Sequence, residues 1–215
     1  MKHSSPLSVA ALSLLMSMAS RAGASPPSAA NSTVPGLIRL VGASGGVPDA
    51  AAGQFTIVAR DLANNPMSGV VVVLDLSNCP DLEICSDPLD PTAVTNCPAK
   101  TIQKLTNIQG QATFTVLGSS MGSGHASSLA GSAKVLAKGV LLALPSVASF
   151  DLDGSGGVGA GDLSVWLSDF GSGVAYQRSD FDGSGTIGAA DLSEWLAVFG
   201  AGAGASTQSC GASCP

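Results

Sequence analysis

The strongest constraint on this 215-residue chain is a string of residues written twice near its C-terminal end. The first copy runs Asp151-Leu152-Asp153-Gly154-Ser155-Gly156-Gly157-Val158-Gly159-Ala160-Gly161-Asp162 and continues through Leu163, Trp166, Leu167 and Phe170 to Gly171. The second runs Asp180-Phe181-Asp182-Gly183-Ser184-Gly185-Thr186-Ile187-Gly188-Ala189-Ala190-Asp191 and continues through Leu192, Trp195, Leu196 and Phe199 to Gly200. Every landmark recurs at an offset of 29 residues, from the first Asp to the closing Gly. Self-similarity at a fixed offset marks a duplicated structural unit.

Each copy carries the chemistry of a calcium loop, in which a hard cation takes oxygens from positions 1, 3, 5, 7, 9 and 12 of a twelve-residue segment. In the first, Asp151, Asp153, Ser155 and Asp162 fall at 1, 3, 5 and 12, and Gly157 offers its carbonyl at 7. In the second, Asp180, Asp182, Ser184 and Asp191 fall at the same positions, with the Thr186 carbonyl at 7. Gly156 and Gly185 occupy position 6, where the chain turns sharply and a side chain is disfavoured. Val158 and Ile187 stand at position 8, placed to pair between loops, and Gly159 and Gly188 leave position 9 to a water. The loops therefore predict two bound Ca²⁺ ions. Ser at position 5 and Asp in place of Glu at 12 leave three carboxylates per ion, which predicts a dissociation constant on the order of 10⁻⁵ to 10⁻³ M.

After each loop the apolar residues fall three or four apart, as on one face of a short amphipathic helix, and a Gly stands where each helix would end. Both tryptophans of the chain lie here, which predicts a packed seam between the two helices rather than a sugar-stacking platform. Leu144-Pro145-Ser146-Val147 and Gly171-Ser172-Gly173 interrupt the chain before the loops, so each unit reads as loop then helix, half of an EF-hand.

Over residues 149–200 the pattern resembles the dockerin type I family. The resemblance implies that the twin loops fold around two Ca²⁺ ions held by Asp151, Asp153, Ser155, Asp162, Asp180, Asp182, Ser184 and Asp191. It implies a cohesin-like or cell-surface protein as partner, with polysaccharide-degrading enzymes as the setting. The family's docking positions map onto Ala160 with Gly161 and Ala189 with Ala190, where this chain carries small residues in place of hydroxyl-bearing ones.

At the other end, residues 1–24 have the anatomy of an export signal: Lys2 in a short head, an apolar run from Leu7 to Ala19, and Ala22-Gly23-Ala24 as a small-residue cleavage site. The run is too short and Ser-interrupted for a lasting membrane span, so the expected location is secreted and extracellular. Removing Lys2 and Arg21 takes the formal charge from −6 to −8. Residues 151–215 hold eight acids against Arg178 alone. Two Ca²⁺ would cancel much of that excess, and without a basic face the chain has nothing to meet nucleic-acid phosphates.

Residues 25–35 read as a flexible lead-in rich in Pro, Ser, Ala and Asn. From residue 36 to 144 short apolar runs are divided by Gly, Pro and Asn. Strands are expected over Leu37–Val41, Gln54–Arg60, Val70–Leu76, Thr101–Leu105, Ala112–Leu117 and Lys134–Leu142, a small β-sandwich. The predicted class is mostly β with a small α module. Asp61-Leu62-Ala63-Asn64-Asn65-Pro66-Met67-Ser68-Gly69-Val70 and Thr106-Asn107-Ile108-Gln109-Gly110-Gln111-Ala112-Thr113-Phe114 resemble turns of the bacterial Ig-like domains of the invasin type. Such domains serve as spacers or adhesive modules, a fold-level analogy.

Cys79, Cys85 and Cys97 predict one disulfide pinning the loop that contains them, without fixing the pair. Cys210 and Cys214 are expected to bridge each other, in a Gly/Ala/Cys tail over 201–215, leaving one thiol over. Gly118-Ser119-Ser120-Met121-Gly122 imitates the GxSxG elbow of serine hydrolases, with His125 the one histidine left after export. The surrounding β pattern lacks the strand-helix rhythm such an elbow needs, so a flexible connector is expected. The expectation is thus a secreted, non-catalytic calcium-binding protein that attaches to a partner. The rivals are a calcium-rigidified carbohydrate-binding or adhesive module with no docking partner, and a small hydrolase using Ser120 and His125.

Overall fold

The structure is a computed structural model that describes residues 25–200 and 213–214. The expected export segment, residues 1–24, lies outside the described residues, as does Cys210. Strands form where apolar and polar residues alternate. They are β1 (Leu37–Val41), the two-residue β2 (Ala43–Ser44) and β3 (Val47–Pro48), β4 (Gln54–Val58), β5 (Val71–Asp75), β6 (Leu82–Cys85), β7 (Ala93–Asn96), β8 (Thr101–Leu105), β9 (Gln111–Ser120), β10 (Lys134–Ala137), β11 (Val140–Ala143) and β12 (Ser146–Ser149). The tail adds β13 (Ser213–Cys214). A single turn of helix, α1 (Ala50–Gly53), leads into β4, and two longer helices, α2 (Ala160–Ser172) and α3 (Ala189–Gly200), follow the acidic loops.

Two sheets share one core. One has the order β12-β1-β9-β6-β13 with β4 also on β9, and the other the order β11-β10-β5-β8-β7. Ile38, Leu40, Ile57, Phe114 and Val116 from the first face Val72, Leu74, Ile102, Val135 and Ala137 from the second. The expected alternation holds in the first half of β9, where Ala112, Phe114 and Val116 are buried between the more exposed Gln111, Thr113 and Thr115, and gives way to a fully buried run from Val116 to Ser120. The architecture is mostly β with a small helical part, as expected, although β1 runs parallel to both β12 and β9.

Several expectations are corrected. Lys134–Leu142 is two strands, because Lys138 and Gly139 take positive φ (47° and 77°) and turn the chain as a tight hairpin. Residues 25–35, expected to be flexible, are tied down: Ser28 N donates to Arg60 O (2.8 Å), Thr33 and Val58 exchange two 2.9 Å bonds, and Val34 packs on the core. The cysteines also pair differently, since Cys97 bonds Cys214 across 117 residues in place of the expected Cys210–Cys214 bridge. The cause is β13, which pairs antiparallel with β6 and returns the tail to the sheets. Cys85 is disulfide-bonded as well, and Cys79 is the buried free thiol.

The acidic repeats do not hang from the sheets. A second core joins Val41, Leu117, Ala148 and Phe150 of the strand region to Leu152, Trp166, Phe181, Trp195 and Val198 of the repeats. The tryptophans therefore pack into a core shared with the strands, a correction to the seam expected between two helices alone. Burying Trp166 and Trp195 on this side leaves Leu167, Phe170, Leu196 and Phe199 about half exposed, with fractional exposures of 54, 52, 47 and 49%. Each exposed Phe stacks on its own Trp, at 5.3 Å for Trp166–Phe170 and 5.1 Å for Trp195–Phe199.

Candidate metal centre

Each loop curls because its own carboxylates gather its amides. In the first, Gly156 N donates to Asp151 Oδ2 (3.0 Å) and Ser155 N to Asp153 Oδ1 (2.9 Å). Asp162, in the first turn of α2, accepts from Leu152 N (2.6 Å), Asp153 N (3.0 Å) and Gly159 N (2.6 Å). The second loop repeats the pattern: Gly185 N and Ser184 N donate to Asp180 (2.9 and 3.0 Å), Ser184 N also to Asp182 (2.9 Å), and Asp182 N and Gly188 N to Asp191 (3.0 and 2.8 Å). Gly156 and Gly185 adopt φ of 97° and 81°, the left-handed geometry expected at position 6.

The result is two carboxylate triads, Asp151 with Asp153 and Asp162, and Asp180 with Asp182 and Asp191, each with one oxygen per residue within 4.8 Å of the others. The flanking Asp residues of each triad are buried, whereas Asp153 and Asp182 reach toward solvent. Ser184 Oγ lies 3.1 Å from the Thr186 carbonyl, so positions 5 and 7 of loop two also converge. Ser155 is exposed and Gly157 half-buried beside the first triad. Val158 and Ile187 are half-buried against the second core.

The donor set fits a hard divalent cation. It is all oxygen, it is tripled in carboxylates, and it is offered by loops of the length calcium uses. The electrostatics agree: burial first, then the charges of Asp151 and Asp153, push the Asp162 carboxyl up to about 7. Burial and the neighbouring Asp182 and Asp191 likewise raise Asp180. Burial pushes Asp153 up, but hydrogen bonds from Ser155 together with those to Asp162 and Asp151 hold its carboxyl low. A divalent ion among these oxygens reverses the raised shifts by favouring the ionised form. Asp151, Asp153, Ser155, Gly157 and Asp162 would hold one ion, and Asp180, Asp182, Ser184, Thr186 and Asp191 the other.

One residue of functional weight was missed. Arg178 is 2% exposed and forms a two-pronged pair with Asp169, Nε to Oδ2 at 2.8 Å and Nη2 to Oδ1 at 2.7 Å. Its signal was visible: it is the lone base among the eight acids of that region. Asp169, moreover, has Val198 as its counterpart 29 residues on.

The hydrolase-like string is arranged otherwise than an elbow. Ser119 and Ser120 end β9, an antiparallel partner of β6, and Ser120 is buried. His125 is exposed, with Nδ1 2.9 Å from the Met121 carbonyl. The buried Ser128 hydroxyl instead bonds Asp81.

No family model matches the chain, and neither a curated protein nor a solved structure matches it.

Proposed function

We propose that this chain is an exported, non-catalytic calcium-binding protein whose dockerin-like repeats form an attachment module carried on an Ig-like sandwich. The two equivalent carboxylate triads carry the reading. Calcium draws each triad together, fixes the start of the helix that follows, and so sets the pose of the exposed Leu167–Phe170 and Leu196–Phe199 pairs. Such repeated exposed apolar pairs suit a protein surface, here one of the cohesin or cell-envelope type. Recovery of a partner from the source organism's envelope in calcium, lost on chelation and with Phe170→Ser and Phe199→Ser, tests it. Recovery indifferent to calcium and to both substitutions refutes it.

One observation favours a second reading, in which calcium only rigidifies an extracellular binding module. The repeats share a core with the strands, including Phe150, Phe181 and Trp195, so metal binding stiffens the sandwich directly. Under that reading the exposed pairs can be changed without loss of binding, while calcium still raises stability.

A further inference from the structure

The acidic loops meet the sheets through bonds that leave little freedom between them. Asp151 contributes its carboxylate to the first triad, and its carbonyl accepts from Ser120 N at the end of β9 (2.7 Å) and from Ser149 Oγ of β12 (3.0 Å). Gly154 lies so close to this edge that a Cβ there would stand 2.8 Å from the Ser120 carbonyl. Between the two loops, the buried Arg178 holds Asp169 of α2 with two nitrogens, and Ser179 Oγ donates to the same carboxylate at 2.7 Å. Its remaining nitrogen, Nη1, donates to the carbonyls of Gly122 (2.9 Å) and His125 (3.2 Å) in the segment after β9. Loop two is wired to β1, where Arg39 Nε donates to the Phe181 carbonyl (2.7 Å). Above it, Phe181 stacks on Phe150 at 4.9 Å and Trp195 Nε1 donates to the Phe150 carbonyl at 3.3 Å.

We infer that the repeats and the sheets unfold as one cooperative unit, with Arg178 as the coupling residue, so that a cation in the loops sets the stability of the distant strands. Parting the repeats from the sheets keeps the Arg178–Asp169 pair together, since both residues belong to the repeats, but strips Nη1 of the carbonyls of Gly122 and His125 and leaves those bonds unmade. The identity of the cation rests on the calcium reading above, whereas the cooperativity does not. Arg178 bonds Asp169 and two backbone carbonyls, none of them a triad oxygen, so it is a positioning residue.

Both tryptophans lie in the repeats, and most strand residues lie in the sheets, so two optical signals report the two parts separately. Tryptophan emission and far-ultraviolet strand ellipticity should be lost at one temperature in the full chain with its disulfides intact. Calcium at about 100 times its dissociation constant should move both upward together by about 10–20 °C. The pair Asp169→Val with Arg178→Met removes both charges at once, which spares the fold an unpaired ion. In that variant the two transitions should separate and calcium should move the tryptophan signal alone. Separate transitions in the unaltered chain, a calcium shift confined to tryptophan there, or a variant that behaves like the parent would each overturn the inference. Coincident signals that calcium leaves in place would sink the calcium reading and leave the cooperative unit standing.

Discussion

Replacing the position 1 aspartates, Asp151→Asn and Asp180→Asn, separates the metal from the fold. Both residues are buried, at 2 and 1% exposure, and each accepts the position 6 amide, from Gly156 at 3.0 Å and Gly185 at 2.9 Å. Asparagine keeps the volume and one acceptor oxygen but removes the charge that a divalent ion requires. At calcium about 100 times the dissociation constant, each site contributes about 2.7 kcal/mol, so two contribute about 5 kcal/mol. For a chain of this size that is an upward shift in Tm of about 10–20 °C. Each single variant should keep roughly half of the shift and the double variant almost none. Without calcium the substitutions weaken the bonds from the position 6 amides but also remove one charge from each crowded triad, so the two effects on Tm oppose each other. The informative quantity is therefore the difference in Tm between calcium and chelator, read by differential scanning calorimetry. A double variant with the full parental difference would refute the ligand assignment.

Other consequences follow from the same geometry. Because Asp162 titrates near 7 against an ordinary value of 3.8, the folded state binds more protons than the unfolded between those values, so in chelator stability falls as pH rises through that window. Calcium affinity should change the opposite way, weakening as pH drops below about 7, and titration calorimetry at several pH values reads both signs. Cys97→Ser opens a link spanning 117 residues and should cost about 2–5 kcal/mol, seen as a lower urea midpoint. The buried Cys79 thiol, pushed up to about 11 mainly by burial, should resist a thiol reagent in the native protein and react only on unfolding. Phe170→Ser should cost no more than about 1.5 kcal/mol, since the ring is half exposed and loses chiefly its stacking on Trp166.

Much of this was legible in the residues because the signals are local. The acidic loops and their helices announce themselves through Asp and Gly at fixed positions. β1 and β8 fall on the expected bounds because short alternating runs end at turn residues. What was not legible depends on distant partners. β6 and β7 lie in the Cys- and Asp-rich stretch, where pairing with β9 and β8 decides the conformation. The Cys97–Cys214 bond depends on β13 returning to β6, which no spacing encodes. The helical stripes read as a seam between the two helices, yet the core shared with the strands buries Trp166, Trp195 and Val198, takes Leu163 and Leu192 in part, and leaves Leu167, Phe170, Leu196 and Phe199 half in solvent.

The central claim is that the twin loops hold calcium, and a crystal structure of the full chain grown in calcium tests it most directly. The account predicts two ions, each about 2.3–2.6 Å from oxygens of its Asp triad. One ion should sit with Asp151, Asp153 and Asp162 and the other with Asp180, Asp182 and Asp191. Density showing only water among those carboxylates, with the loops folded as described, would contradict it.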